Sequence, residues 1–272
     1  MPEISLPEGS LHYEEEGSGS PVVLLHALGG NAQDWDRLLP SLRKDHRLLI
    51  PEMRGHGRSP APRATTYTPF EHARDLHTLL GETGAGPCWI VGLSHGGFVA
   101  LALALEHPED VRGLVLVSTT AHVDRYTREV MARWLKVFQE QGLEAYLNRL
   151  VQDVFSPDWL LEHLDEVDQL KEQERHRRLA GIAPSVAGDS TWDVRGRIAG
   201  IRRPTLVVHG MDDQVIDPTS ARILRQTILG SEMKLYANTG HLIPIEKADE
   251  FGPLVAEFLS RREREGETRP PP

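Results

Sequence analysis

The chain has little of what would mark it as secreted, membrane-bound or nucleic-acid-binding. Cys88 is the one cysteine in 272 residues, so no disulfide can form within the chain and cytoplasmic residence is expected. The start, Met1-Pro2-Glu3-Ile4-Ser5-Leu6-Pro7, lacks the basic residues and apolar run of a secretion signal. No window approaches the ~18 uninterrupted apolar residues that a membrane helix needs, so no membrane contact is expected. Positive charge is in deficit: the formal net charge is -10. The Arg-rich stretches at 174–178 and 195–203 are too small to form the basic stripe that a nucleic acid requires. The phosphate pattern G-x-x-x-x-G-K-S/T, the dinucleotide pattern G-x-G-x-x-G and the zinc pattern H-E-x-x-H are absent. No cofactor and no catalytic metal is therefore implied.

What the chain does have is a regular alternation of elements. Residues 10–16 alternate as a strand does, and Val22-Val23-Leu24-Leu25 is an unbroken apolar run, the mark of a strand buried on both faces. A turn, His26-Ala27-Leu28-Gly29-Gly30-Asn31, follows, and then Trp35, Leu38, Leu39 and Leu42 at helical spacing. A strand at 46–50, a Gly- and Pro-punctuated loop at 51–59 and a helix at about 69–83, begun by Thr68-Pro69, come next. Strands at 88–92 and 111–117 bracket a helix that stops before Pro108. After a further strand at 205–208 come a helix at 218–229, a strand at 232–237 and an amphipathic helix at 245–264. The Pro-rich tail at 269–272 is expected to be disordered. Strand and helix in this order predict an α/β fold with a mostly parallel sheet.

Between 118 and about 200 the pattern changes. Strands vanish and helical stretches appear near 123–140, 143–154 and 158–181, an all-helical insertion. Its large apolar side chains, Trp134, Leu135, Phe138, Tyr146, Phe155, Trp159 and Trp192, fit packing at helical spacing better than ligand contact.

The stretch that carries chemistry is Gly92-Leu93-Ser94-His95-Gly96-Gly97, with the run Cys88-Trp89-Ile90-Val91 before it and Phe98-Val99-Ala100-Leu101-Ala102-Leu103 after it. A strand entering a tight turn and a helix leaving it is the context in which G-x-S-x-G presents a serine hydroxyl. The pentapeptide alone also fits a Gly-rich turn with a capping serine. A nucleophilic serine needs a base, and the base needs an acid to fix its tautomer. Asp212, Asp213 and His241 all follow strands, where an α/β sheet collects functional residues. Of thirteen histidines, His72, His77, His107, His163 and His176 fall on helices and His12 in an early strand, while His26, His56, His95, His209 and His241 fall in strand-end loops. Only His241 comes after both the serine and an acid, the chain order of such triads. Either Asp212 or Asp213 could be that acid. The His95 side chain, next to Ser94 on a tight turn, points away from the hydroxyl, but its backbone N–H is placed to stabilise an oxyanion, with Leu28 N–H as the second donor.

These residues together resemble the α/β-hydrolase superfamily, in its cap-bearing branch of small esterases, lactonases, carbon–carbon bond hydrolases and cofactor-free haloperoxidases. The resemblance runs from Leu11 to about Leu259. His26 to Gly30 is similar to the HGxxG oxyanion loop, Arg54-Gly55-His56-Gly57-Arg58-Ser59 to the RGxGxS loop, Gly210-Met211-Asp212-Asp213 to the acid loop and Gly240-His241 to the histidine loop. Ala27 stands where glycine is usual and Glu52 where aspartate is commoner. The resemblance implies an α/β-hydrolase core at 1–118 and 200–272 with a helical cap at 119–199. It assigns Ser94 as nucleophile, Asp213 as acid and His241 as base. Trp134, Phe138, Trp159 and Leu242 are expected to line the pocket. A serine nucleophile excludes the epoxide hydrolases and haloalkane dehalogenases of this layout, which use aspartate. The expected activity is cleavage of a carboxylic ester with water; carbon–carbon bond, enol-lactone or perhydrolase chemistry and a ligand-sensing role are the alternatives.

Overall fold

Alternation of side chains along the strands accounts for the layered architecture. In the computed structural model, which describes residues 2–175 and 180–267, the chain runs β1 (Glu3–Leu6), β2 (Gly9–Gly17), β3 (Ser20–Leu25), α1 (Leu39–Leu42), β4 (His46–Pro51), α2 (Pro69–Thr83), β5 (Cys88–Leu93), α3 (His95–Glu106) and β6 (Val111–Val117). Five helices follow: α4 (Arg125–Gln141), α5 (Leu143–Val154), α6 (Pro157–Glu162), α7 (Leu164–Glu174) and α8 (Ile182–Asp189). The chain closes with β7 (Thr205–Gly210), α9 (Thr219–Thr227), β8 (Glu232–Tyr236), α10 (Ile243–Glu246) and α11 (Ala248–Glu267).

The sheet order is β1-β2-β4-β3-β5-β6-β7-β8. β2 is antiparallel to both β1 and β4, and the other pairs are parallel. In β3, Val23 and Leu25 face a core shared with Leu76 and Leu79 of α2 and Phe98 and Leu101 of α3. Val22 and Leu24 face the opposite core, made with Trp35, Leu42, Phe251 and Phe258. Both faces are covered, so the central strands read as continuous apolar runs. Register sets the functional edge. Leu25 is paired with Gly92, Leu93 with Val117 and Val117 with Val208, so the loops that leave β3, β5, β6 and β7 emerge side by side.

Several elements differ from the expectation. β1 is a four-residue edge strand, too short for its alternation to register in the sequence. The helical spacing of Trp35 to Leu42 resolves into a 3-10 turn, Ala32–Trp35, and the single turn α1. The helix expected over 158–181 is broken: α6 ends at Glu162, where the His163 ring bonds Trp159 O at 2.9 Å, and α7 ends at Glu174. Lys247 separates α10 from α11 in the final helix. His176 and the tail at 269–272 lie outside the described residues.

The last part of the helical segment is bonded to the loops at the sheet's functional edge: Gly181 N–H donates to Gly55 O (2.9 Å) and Tyr67 N–H to Pro184 O (2.9 Å), while Val194 N–H to Ala121 O (2.8 Å) ties the two ends of the segment together. A Cβ on Gly55 would meet Gly181 Cα at 2.5 Å, so the two loops touch backbone to backbone. Among the described residues no helix is long and apolar enough to cross a membrane.

Phe258 is buried against the edge of the Trp89 ring, with centroids 5.8 Å apart, and seals α11 to the sheet. Phe258→Ala is expected to cost about 3–5 kcal/mol by removing packed ring atoms. Urea unfolding should show this as a lower midpoint at an unchanged slope.

Candidate active site

Close backbone approach shapes the turn after β5. A Cβ on Gly92 would meet Gly96 O at 2.4 Å, and one on Gly96 would meet Leu25 O at 2.2 Å. Glycine at both positions lets α3 start immediately above the end of β3. Ser94 is driven to φ 54 and ψ -113, a conformation costing about 1–3 kcal/mol for a non-glycine residue. It is held there by Ser94 N–H donating to Val117 O (2.9 Å) and by Thr119 Oγ1 donating to Ser94 O (2.8 Å).

The loops after β7 and β8 bring an acid and a histidine to the same edge. Asp213 Oδ2 accepts from His241 Nδ1–H at 2.7 Å, and both side chains are buried. Val215 N–H and Ile216 N–H donate to Asp213 Oδ1 at 2.8 and 3.0 Å. The His209 Nε2–H lies between Asp213 Oδ2 (3.0 Å) and Ile216 O (2.9 Å). Burial alone would raise the Asp213 carboxyl, but attraction to His241 and the hydrogen bonds from His209 and His241 outweigh it. The carboxylate is held well below its usual range. With Nδ1 protonated toward Asp213, Nε2 of His241 is left as the basic nitrogen. Asp212 is exposed, its N–H bonded to Thr239 O at 2.9 Å, so Asp213 is the residue that meets His241.

The histidine loop is clamped by the helical segment. His241 N–H and Leu242 N–H donate to Val154 O at 2.8 and 3.2 Å. Glu246 accepts from Gly240 N–H (3.0 Å), Ser156 N–H (3.1 Å) and Ser156 Oγ (2.6 Å), and burial raises its carboxyl. Glu246 and His209 are the supporting residues that sequence reasoning missed. Glu246 sits in an amphipathic stretch, and nothing in its spacing points to Gly240; His209 ranked only as one of several loop histidines.

On the opposite side lies the loop after β3. Met53 N–H donates to His26 Nε2 (2.9 Å), which places the ring proton on Nδ1, and this donates to Ala27 O (2.7 Å). Neutral His26 therefore pins the loop that carries Leu28. Glu52 fills the departure noted above: its carboxylate accepts from Arg58 N–H (2.7 Å) and Arg58 Nε (3.1 Å). Burial raises the Glu52 carboxyl, but these bonds overcome it and leave it lowered.

Beneath the turn the His95 ring points away from the cavity. Its Nδ1 is 2.8 Å from Asp189 Oδ2 of α8, both fully buried. His56 and His72 flank it, with ring centroids 6.4 and 5.1 Å away. Burial, then the neighbouring histidines, hold both well below the ordinary histidine value, so they are neutral rings at neutral pH.

Ser94, His241 and Leu28 line one cavity of ≈ 240 Å³. Trp134, Tyr146, Leu150, Val154 and Leu242 give it apolar walls. Of the four residues expected in the pocket, Trp134 and Leu242 line this cavity; Phe138 packs edge-on against Tyr146, and Trp159 stacks between Phe155 and His163. Helical spacing reports which side chains are buried, not which buried side faces a cavity. Among the described residues no hydrogen bond joins Ser94 Oγ to His241.

A family model described as alpha/beta hydrolase fold matches residues 20–248. A Variovorax paradoxus protein provisionally named carbamate hydrolase RutD is 30% identical over 256 residues, covering 92% of this chain and 96% of that protein. The 2-hydroxymuconate semialdehyde hydrolase of a Pseudomonas species is 30% identical over 263 residues, covering 92% and 90%. The enol-lactonase from Burkholderia xenovorans superposes with a TM-score of 0.88 at 27% identity, over 95% of this chain and 100% of that one.

The lowered Asp213 carboxyl fixes a sign. A carboxyl that titrates lower in the folded than in the unfolded chain contributes stability in full above the unfolded value, about 3.9. That contribution drains away as pH falls toward the depressed folded value. The gap in unfolding free energy between wild type and Asp213→Asn should therefore shrink as pH drops below about 4. Urea titrations at several acid pH values check this, and a gap that widens on acidification would be the opposite result.

Proposed function

The chain belongs to the alpha/beta hydrolase family, and from that premise we propose that it is a serine hydrolase cleaving carboxylic esters of small to medium hydrophobic groups. The observation that carries the reading is the delivery of Ser94 and the buried Asp213–His241 pair to one cavity, with Trp134, Leu150, Val154 and Leu242 in its lining beside polar residues such as Gln33, Arg37 and Glu166. In the proposed reaction Ser94 Oγ attacks the ester carbonyl carbon while His241 Nε2 takes the hydroxyl proton. The negative oxygen is met by the Leu28 and His95 backbone N–H groups. Collapse of the tetrahedral intermediate expels the alcohol, which takes the proton from His241. Water, deprotonated by the same nitrogen, then attacks the acyl-Ser94 ester and releases the acid. Asp213 holds the imidazole in the required tautomer and balances its charge as it protonates.

The assigned organisation is a core of residues 1–118 and 200–272 with 119–199 as cap. Trp134 of α4, Tyr146, Leu150 and Val154 of α5 and Leu170 of α7 contribute to the cavity, so the cap selects the acyl or leaving group. The reactants in this reading are a small-molecule ester and water. Buried, unpaired Cys88 suits a reducing cytoplasm. The names of the Pseudomonas and Burkholderia relatives favour a second reading on the same residues, hydrolysis of a carbon–carbon bond or an enol-lactone.

Ser94→Ala is expected to lower turnover of a chromogenic ester by about three or more powers of ten with the fold intact. Retention of most of the activity would rule the mechanism out. Steady-state rates on matched ester, lactone and vinylogous diketone substrates decide between the two readings.

A further inference from the structure

At the end of α3 opposite the site, four donor side chains converge. His77 comes from α2, His107 caps the C-terminus of α3, and Glu109 and Asp110 lie on the 3-10 turn Pro108–Asp110 that leads into β6. One donor atom from each lies within 4.8 Å of all the others. We propose that these four residues form a divalent metal site, with two nitrogen and two carboxylate ligands suited to Zn²⁺, that straps α2 and α3 to the base of β6.

The donor set is the first argument. Two imidazoles and two carboxylates are the ligand types of tetrahedral zinc and of its borderline neighbours, and one divalent ion balances the two carboxylate charges. Placement is the second. His107 is the C-cap of α3, where unpaired carbonyls make the negative end of a twelve-residue helix, the end that favours a cation. The third is how the four side chains are held. Asp110 and His107 form the inner half, with side chains 15% and 22% exposed. His77 and Glu109, at 46% and 65%, form an outer half with room to move.

The cluster is already drawn together by pairwise contacts. His77 Nδ1 is 2.6 Å from Asp110 Oδ2, His107 Nδ1 is 3.5 Å from Glu109 Oε1, and the two rings stack at 3.9 Å. Zinc–ligand bonds of about 2.0–2.2 Å require ligand atoms about 3.4 Å apart. Closing from 4.8 Å requires the outer His77 ring to turn off the stack, so that its lone pair faces the ion, and Glu109 to swing inward. Neither motion disturbs the core. Arg203 donates to Pro108 O at 2.7 Å and so holds the turn that carries Glu109 and Asp110. The sequence shows none of this. His77 and His107 read as separate surface histidines on two helices, and only the packing of α2 on α3 brings them together.

The experiment is calorimetric titration of the full chain with zinc chloride after chelator treatment, with His77→Ala/His107→Ala and Glu109→Gln in parallel. One ion per chain is expected, with micromolar or tighter affinity. Zinc should raise Tm by about 5 °C or more at a hundredfold excess over Kd. The double variant should lose both effects while its zinc-free ester hydrolysis stays at the wild-type rate, and Glu109→Gln should bind about tenfold more weakly. Absence of saturable binding, binding that survives in the double variant, or an unchanged affinity in exposed Glu109→Gln would each overturn the proposal. Ester hydrolysis is read separately, so a failed metal site and a failed Ser94 mechanism give different results.

Discussion

The site rests on a backbone contact. α3 begins so close to the strands that neither Gly92, which faces the backbone of Gly96, nor Gly96, which faces Leu25 at the end of β3, has room for a Cβ, and Ser94 between them takes a positive φ. The position of Ser94 depends on it. The serine sits at the sharp turn between strand and helix, and helix α3 is sealed in the core so that the turn cannot relax. Strain of about 1–3 kcal/mol at one residue is small beside the burial of a wholly enclosed helix, which is why the fold can sustain it.

Around that turn the protein buries an unusual amount of ionisable material and provides partners for most of it. Asp213 receives two backbone N–H groups and two histidines, Glu52 receives Arg58, Glu246 receives Gly240 and Ser156, and the Arg54–Asp75 pair closes in two bonds. An unpaired carboxylate in such surroundings would take up a proton instead of staying charged. The direction of each carboxyl follows from the balance of burial against partners. Asp213 and Glu52 are lowered, while Glu246 and Asp189 are raised.

The helical segment between β6 and β7 serves in two ways. Its last stretch, from Gly181 onward, is bonded to the loops around Gly55 and Tyr67 and reaches His95 through Asp189, so it behaves as part of the wall. Its earlier helices α4 and α5 supply apolar lining of the cavity, and α7 adds Leu170 among polar residues. Val154 and Ser156 clamp the histidine loop at the same time. A change in α5 can therefore affect both the shape of the pocket and the placement of His241.

Local patterns in the sequence determined the strands other than β1, most helices, the turn at Ser94 and the order of serine, acid and histidine, because each is written in periods of two or 3.6 residues or in glycines that a tight turn demands. Breaks such as His163 and Lys247 escaped, since amphipathic periodicity continues across a one-residue interruption. The choice of Asp213 over Asp212 was made by resemblance, and three dimensions supply its physical basis: one carboxylate is buried against His241 and its neighbour is exposed. Only tertiary structure decided that Trp134 faces the cavity while Phe138 and Trp159 face other rings, that Glu246 braces Gly240, and that His77 meets His107. All of these are contacts between segments distant in the chain, and the direction a side chain takes across such a gap depends on how helices dock, which no short-range period encodes.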